Sequence, residues 1–226
     1  MKKFMFWIAR RNFMGKIIGL IISKVPLLVP AKYVNCNEKV AGFYHPVPSY
    51  KKHILFIPRK IISTLLDVKK DSDVLIIKNL LDIASLTAKE LGMEKEGFVI
   101  CANGGKRQDV MQLHFHLYVG KVINISNRKC SGYAEVINDE QIIVRYYEDE
   151  DSRLNIHIKL KSIIPENDEI SEVLLYRVIE LMPEMNKKFD LVDRGYSIIL
   201  QYEEEAENDY YRELFITTGK AIKKSV

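Results

Sequence analysis

The sequence predicts an α+β fold made of two similar units in one chain. Short apolar runs bounded by turn residues give strands. Two longer stretches with helical apolar spacing, 71–91 and 170–189, give amphipathic helices. The order of strands and helix in residues 32–121 then recurs in residues 127–226. Each copy leaves its last strand on Gly-Lys, at Gly120-Lys121 and Gly219-Lys220. Such self-similarity points to an internal duplication. The boundaries it suggests are an N-terminal helical segment over 1–29 and two units over 30–126 and 127–226.

At 226 residues the chain can bury a substantial core. An apolar share of 47% and a charged share of 28% are those of an ordinary soluble globular protein. Cys36, Cys101 and Cys130 are scattered and form no C-x-x-C pair, which argues against a disulfide framework or a cysteine zinc site. A reducing, cytoplasmic setting is expected. The net charge of +4 hides an asymmetry: residues 1–126 hold 20 Lys/Arg and 9 Asp/Glu, whereas residues 127–226 hold 14 and 21. A basic half suits an anionic substrate or an acidic neighbour, and two solvated faces of opposite sign suit the counts equally well. No strand interleaves aromatic and basic residues, so nucleic-acid binding is not expected.

Residues 1–25 carry basic residues and no acid, with Phe4, Trp7, Ile8, Met14, Ile17, Ile18, Ile21 and Val25 near helical spacing. Charges at Arg10, Arg11, Lys16 and Lys24 interrupt any spanning run. The helix either packs on the domain or lies peripherally on an anionic membrane surface. Val25-Pro26 and Val29-Pro30 end it. Strands follow at Lys32–Asn35 and Val40–Tyr44, around the turn Cys36-Asn37-Glu38-Lys39. His53-Ile54-Leu55-Phe56-Ile57-Pro58 is the near-continuous apolar run of a central strand. The helix over 71–91 has Asp71 or Asp73 near its start and Gly92 past its end. Phe98–Ala102 is the next strand.

The second unit repeats this order. Strands are expected at Tyr133–Asn138 and Ile142–Tyr147, around Asn138-Asp139-Glu140-Gln141, and at Asn155–Leu160. The helix Ile170–Phe189, the strand Tyr196–Tyr202, an acidic loop from Glu203 to Glu207 and the strand Glu213–Lys220 complete it. In this alignment Glu213 falls at His114 and Phe215 at His116, so the second unit lacks the histidines.

Those histidines lie in Met111-Gln112-Leu113-His114-Phe115-His116-Leu117-Tyr118-Val119-Gly120. Apolar Leu113, Phe115 and Leu117 alternate with Gln112, His114 and His116, which predicts a half-buried strand with an amide and two imidazoles on one face. The loop before it, Asn103-Gly104-Gly105-Lys106-Arg107-Gln108-Asp109, is polar and glycine-bearing. The histidines fit three roles: ordinary strand residues, a metal-binding H-x-H pair, or phosphate chemistry. In the last, a neutral imidazole of His114 attacks phosphorus and splits one displacement into two. His116, about 6–7 Å along the strand, donates to the same phosphate or its leaving atom. Amides of Gly104 and Gly105, with Asn103 and Gln108, hold the phosphoryl oxygens, and Lys106 and Arg107 neutralise charge there. His53 and His157 are expected to be structural.

The motif order over residues 30–121 resembles the histidine triad (HIT) superfamily, whose signature is His-x-His-x-His after a strand–helix–strand unit. The resemblance rests on Pro30-Ala31-Lys32, the hairpin up to Phe43, the strand His53–Lys60, the helix, Asn103 with its glycines, and Gln108 six residues before His114. It implies an antiparallel sheet with helices, two units pairing to extend that sheet, and here an intramolecular pseudo-dimer. The galactose-1-phosphate uridylyltransferase branch is similar in holding two units in one chain. It implies that His114 is the nucleophile, assisted by His116, with Gln112 in place of the first histidine. Phe43, His45 and Leu55 become the nucleoside pocket.

Three positions depart from the family pattern. Gln112 has no useful proton to give, His45 replaces an acidic residue that grips ribose, and Asp109 replaces a phosphate-binding Ser or Thr. The resemblance implies a nucleotide phosphohydrolase or nucleotidyl transferase with a phosphorus–histidine intermediate, using neither metal nor cofactor. The alternative is a non-catalytic nucleotide-binding module, membrane-associated through residues 1–25.

Overall fold

A computed structural model of the chain describes residues 32–120, 134–149, 151–161, 172–202 and 213–219. The expected N-terminal helix, the acidic loop and Cys130 lie outside these residues. In chain order the strands are β1 (Tyr33–Val34), β2 (Val40–Tyr44), β3 (Ile54–Pro58), β4 (Phe98–Gly104), β5 (Phe115–Val119), β6 (Ala134–Asn138), β7 (Ile142–Glu148), β8 (Leu154–Leu160), β9 (Tyr196–Tyr202) and β10 (Glu213–Thr218). Helix α1 (Asp71–Glu90) joins β3 to β4, and α2 (Glu172–Phe189) with the short α3 (Leu191–Arg194) joins β8 to β9. The strands form a single antiparallel sheet in the order β1-β2-β3-β5-β4-β9-β10-β8-β7-β6.

Counted inward from either edge, the two halves of this sheet have the same connectivity, and they meet at the β4–β9 pair. The resemblance extends to local hydrogen bonds. The Asn37 side chain accepts from the amides of Lys39 and Val40, and the Asp139 side chain accepts from those of Gln141 and Ile142. These are the turns expected from the sequence, closed by the short polar side chain that favours them. Gly97 before β4 and Gly195 before β9 both have positive φ, at 73° and 69°. The halves are therefore held together by a strand ladder between β4 and β9, with charge attraction secondary. Lys106 and Asp193 add an exposed ion pair of 2.9 Å across the junction.

One face of the sheet carries the helices. Phe56, Ile100, Leu117, Ile198 and Ile216 from the strands pack with Ile77, Leu80 and Ala84 of α1 and with Val178, Met182 and Met185 of α2. Ile77 and Leu80 are fully buried, and truncation of either to alanine would cost roughly 2–5 kcal/mol. Helix α1 ends as expected at Gly92. Gly92 takes a φ of 61°, its amide donates to Lys89 O, and the Met93 amide donates to Ala88 O. Its start is also as expected, with Asp71 and Asp73 in the first turn, where their charge complements the helix dipole; Lys70 is the N-cap, and Asp73 pairs with Lys60. Among the described residues no helix is long and apolar enough to cross a membrane.

The expected strand over 111–120 is shorter in the structure, beginning only at Phe115. Local bonds take up the lead-in: the Gln112 amide donates to Val110 O and the Leu113 amide to Ile62 O. Gln112 is consequently not on the strand face with His116.

Candidate functional site

On the face opposite the helices, cross-strand pairing sets up one continuous row: Tyr33, Phe43, Leu55, His116, Cys101, Ile199, Phe215 and His157. A second row begins with the pair Asn103–Ser197 and continues to Thr217 and Asn155. Extending the β4–β5 register by one residue places His114 opposite Asn103. The candidate site lies where these rows meet the β2–β3 loop.

Four imidazoles converge there. The ring of His45 stacks on that of His53, with centroids 4.2 Å apart and planes 7° apart. His53 lies 5.1 Å from His116, and His116 lies 5.0 Å from His114. His114 Nδ1 is 2.8 Å from the Gln112 carbonyl oxygen. A carbonyl only accepts, so Nδ1 carries the hydrogen and Nε2 is left with its lone pair. The Ser49 amide donates to His53 Nδ1 at 3.3 Å, so His53 Nε2 carries a hydrogen and donates to His116 Nδ1 at 2.9 Å. That leaves the hydrogen of His116 on Nε2, which is buried without a partner among the described residues. The site thus pairs a nucleophilic lone pair with an unspent donor.

Burial depresses the pKa of all four rings. It acts first at His114, where the Gln112 carbonyl and the Asp109 charge oppose it. At His116, burial and then the neighbouring rings hold the pKa well below the ordinary histidine value. His53 is pushed down to about 3, chiefly by burial. His45 is lowered chiefly by burial. All four are neutral at pH 7, as a nucleophile and its hydrogen-bond donor require.

His45, His53 and His116 each bring a ring nitrogen within 4.8 Å of the others, near enough to share a cation. The donor set fits one poorly. The Val47 and Ser49 amides donate to Nδ1 of His45 and His53, which puts protons on the Nε2 atoms that would have to bind metal.

The remaining expected site residues divide. Asn103 faces this region, and its Oδ1 accepts from Ser197 Oγ at 2.6 Å. Gln108 is nearby, but its Nε2 is bound to Ser63 O and Val110 O. Gln112 is buried, with Nε2 donating to Pro58 O and Lys60 O, so it braces the backbone between β3 and the histidines. Gly104 and Gly105 face the second lobe: a Cβ on Gly104 would overlap the Tyr196 ring, and one on Gly105 the Val192 backbone. Lys106 and Arg107 are directed the same way, with Arg107 donating to Gly219 O, Ser197 Oγ and Thr217 O. The expected neutralisation of phosphate by these two cations is therefore not what the geometry provides. Phe43 and Leu55 are 2% and 6% exposed and pack with Ile57 and Tyr33, forming a closed apolar cluster beside the histidines. Asp109 is exposed at the rim.

Two contributors were not singled out by the sequence. His53 looked like the structural start of a core strand, and the antiparallel β3–β5 register would have placed it beside His116. Ser197 had no sequence signal. In the second lobe His157 stacks on Phe215 at 4.6 Å and lies 3.3 Å from Glu213, which also pairs with Lys159.

Comparison with known proteins agrees with this geometry. The HIT domain family model matches residues 28–122. An uncharacterised HIT-like protein of Buchnera aphidicola (subspecies Acyrthosiphon pisum) is 34% identical over 97 residues, which cover 41% of this chain and 82% of the relative. The purine nucleoside phosphoramidase of Escherichia coli K12 is 26% identical over 95 residues, 41% of this chain and 79% of that protein. A galt-like protein from Arabidopsis thaliana has the same fold over 87% of this chain and 79% of its own, at 10% identity and a TM-score of 0.57. Given the identity to the Buchnera protein across most of its length, the chain belongs to the HIT-domain family.

Proposed function

We propose that the chain is a HIT-type nucleotide phosphohydrolase or nucleotidyl transferase acting through a phosphorus–histidine intermediate on His114. The carrying observation is the tautomer of His114, whose Nδ1–H is held by the Gln112 carbonyl so that Nε2 is a neutral nucleophile. Nε2 attacks phosphorus as the bond to the leaving nitrogen or oxygen breaks, and the leaving group takes its proton from solvent. The Gln112 carbonyl then stabilises the positive charge that the phosphorylated ring acquires. His116 Nε2–H donates to the phosphoryl or leaving atom. Water, or the hydroxyl of an acceptor, then attacks phosphorus, the bond from phosphorus to Nε2 breaks to restore neutral His114, and the proton of the attacking group passes to solvent.

The E. coli relative is named a purine nucleoside phosphoramidase, which supports a nucleoside phosphoramidate or phosphoanhydride as substrate. Replacing His114 with alanine is expected to abolish turnover of a purine nucleoside phosphoramidate and any acid-labile phosphorus adduct. Unchanged hydrolysis by that variant would refute the mechanism.

We also infer that residues 30–126 and 127–226 arose by tandem duplication and form an intramolecular pseudo-dimer. The matching strand order and the matching turns at Asn37 and Asp139 support this. Phe215 pairs with Ile199 as His116 pairs with Cys101, so only the first lobe carries the histidines.

A second reading, a nucleotide-binding module without catalysis, is favoured by one observation. Gln112 occupies the first histidine's position and is committed to backbone carbonyls. Calorimetry and turnover assays on one panel of nucleotides distinguish the two, since turnover removes the non-catalytic reading.

A further inference from the structure

The second lobe has no histidine at the pseudo-equivalent positions, yet it touches the first lobe's site at one polar point. Ser197 stands directly across the β4–β9 ladder from Asn103. Arg107 Nη1 donates to Ser197 Oγ at 2.8 Å. With that lone pair occupied by a cationic donor, the serine hydrogen is directed to Asn103 Oδ1, 2.6 Å away. The reverse amide orientation would leave the serine hydrogen unused, since both partners would then be donating to the same oxygen. Asn103 Nδ2 is the atom left over. It makes no hydrogen bond among the described residues, and extending the β4–β5 register one pair past Ala102–Phe115 sets Asn103 opposite His114.

Resting on the reading of His114 as the reacting group, we propose that Ser197, anchored by Arg107, is a positioning residue by which the second lobe sets the Asn103 amide to donate to a substrate phosphoryl oxygen over His114.

The arrangement is asymmetric in a way that two identical lobes would not permit. His116 pairs with Cys101 and Phe215 with Ile199, and Gly97 and Gly195 precede β4 and β9. These equivalences put the two-fold centre of the ladder at the Cys101–Ile199 pair. About that centre the Asn103–Ser197 pair is related to Val99–Gln201. A symmetric pair of first lobes would therefore set a valine opposite Asn103, with no hydroxyl to orient its amide. The second lobe thus has Phe215 at the position matching His116 and, at Ser197, a hydroxyl that faces Asn103 of the first.

The test uses the full chain and three variants, Ser197→Ala, Ser197→Thr and His114→Ala. AMP affinity is measured by calorimetry, and turnover with a purine nucleoside phosphoramidate. Removing one hydrogen bond that orients a phosphate donor should lower kcat/KM about tenfold, mostly in kcat, and weaken AMP binding by about threefold. Ser197→Thr keeps the hydroxyl and should restore both to within about threefold of the parent. The inference is overturned if Ser197→Ala stays within twofold of the parent in both measurements. It is also overturned if Ser197→Thr is impaired as severely as the alanine variant, because the hydroxyl is then not the operative group. Loss of turnover in His114→Ala with an unaffected Ser197→Ala refutes the role of Ser197 alone. Retained turnover in His114→Ala refutes the reading of the site and this inference with it.

Discussion

Nε2 of His53 lies 2.9 Å from Nδ1 of His116, and the Ser49 amide on the far side of His53 decides which of them donates. His53 is thus not merely the first residue of a core strand. It fixes the hydrogen of His116 on Nε2, the buried atom that the proposed mechanism uses as a donor. Replacing His53 with alanine frees His116 to adopt the other tautomer. Such loss of a tautomer-setting partner is expected to lower kcat by about 10–100-fold. KM should change less than kcat, because the tautomer of His116 bears on departure of the leaving group more than on ground-state binding. Steady-state kinetics with a purine nucleoside phosphoramidate tests this, and a purely KM effect would contradict it.

The same residue links stability to pH. His53 has a pKa of about 3 in the folded chain, far below that of an unfolded histidine at roughly 6.5. Between those values the unfolded state binds more protons, so stability is complete above about pH 6.5 and declines as pH falls towards 3. The slope from one such group is at most about 1.4 kcal/mol per pH unit. His116 and His114 are shifted in the same direction and add to it. Chemical denaturation between pH 4 and 8 should show midpoints falling steadily below pH 6.5. His53→Gln should flatten that fall relative to its own value at pH 8.

Catalysis should follow a related rule with its own limit. In the proposed mechanism His114 reacts only when neutral, and its pKa is lowered by burial. The acid limb of kcat/KM is therefore expected below the ordinary histidine value of about 6.5, with a flat region through neutrality. An acid limb centred above 6.5 would place the titrating group elsewhere.

Gln112 is best understood through the two carbonyls it serves. A buried amide donating to both Pro58 O and Lys60 O has no simple substitute. Gln112→His would place a histidine where the resemblance puts the family's first one, but a neutral imidazole offers a single hydrogen and must leave one carbonyl unpaired. Loss of stability of about 1–3 kcal/mol is expected, with no gain in turnover. Gln112→Glu should cost more, because a carboxylate would face two carbonyl oxygens in a buried setting. Thermal denaturation and kinetics of the two variants check this, and a faster Gln112→His enzyme would show that the position still has a catalytic role.

Much of the framework was legible because it depends on periodicity and punctuation. The strands from Val40 to Val119, the helix ending at Gly92, and the paired turns at Asn37 and Asp139 all follow from local pattern. The histidine pair was legible as well, since the alternation of Phe115 and Leu117 with His116 survives in β5. What failed depends on long-range geometry. Gln112 continues the alternation in the sequence, but bonds to residues 58–62 lift it out of the strand. Arg107 looked like a phosphate ligand because it sits in a polar loop. Its guanidinium instead crosses to Ser197 and Thr217, about 90 to 110 residues away in the chain. No local rule could assign Ser197, whose importance lies entirely in what stands across the β4–β9 ladder.

The loop glycines give the sharpest contrast between a phosphate cradle and a junction between lobes. Gly105 has a φ of 57°, and a Cβ there would overlap the backbone of Val192, which cannot turn aside as a flexible side chain would. Gly92 has a similar φ of 61°, yet a Cβ there would meet nothing within 4 Å. Backbone strain alone costs about 1 kcal/mol, so Gly92→Ala should be destabilised by about that much. Gly105→Ala should lose that amount plus an overpacking cost of about 1–3 kcal/mol. It should also lose turnover, since α3 would be pushed away from the loop that carries Arg107 and, through it, from Asn103. Equal midpoints for the two variants would mean that the loop does not depend on its contact with the second lobe. A larger loss for Gly105→Ala, in both midpoint and kcat, would show that the second lobe holds the first lobe's loop in place.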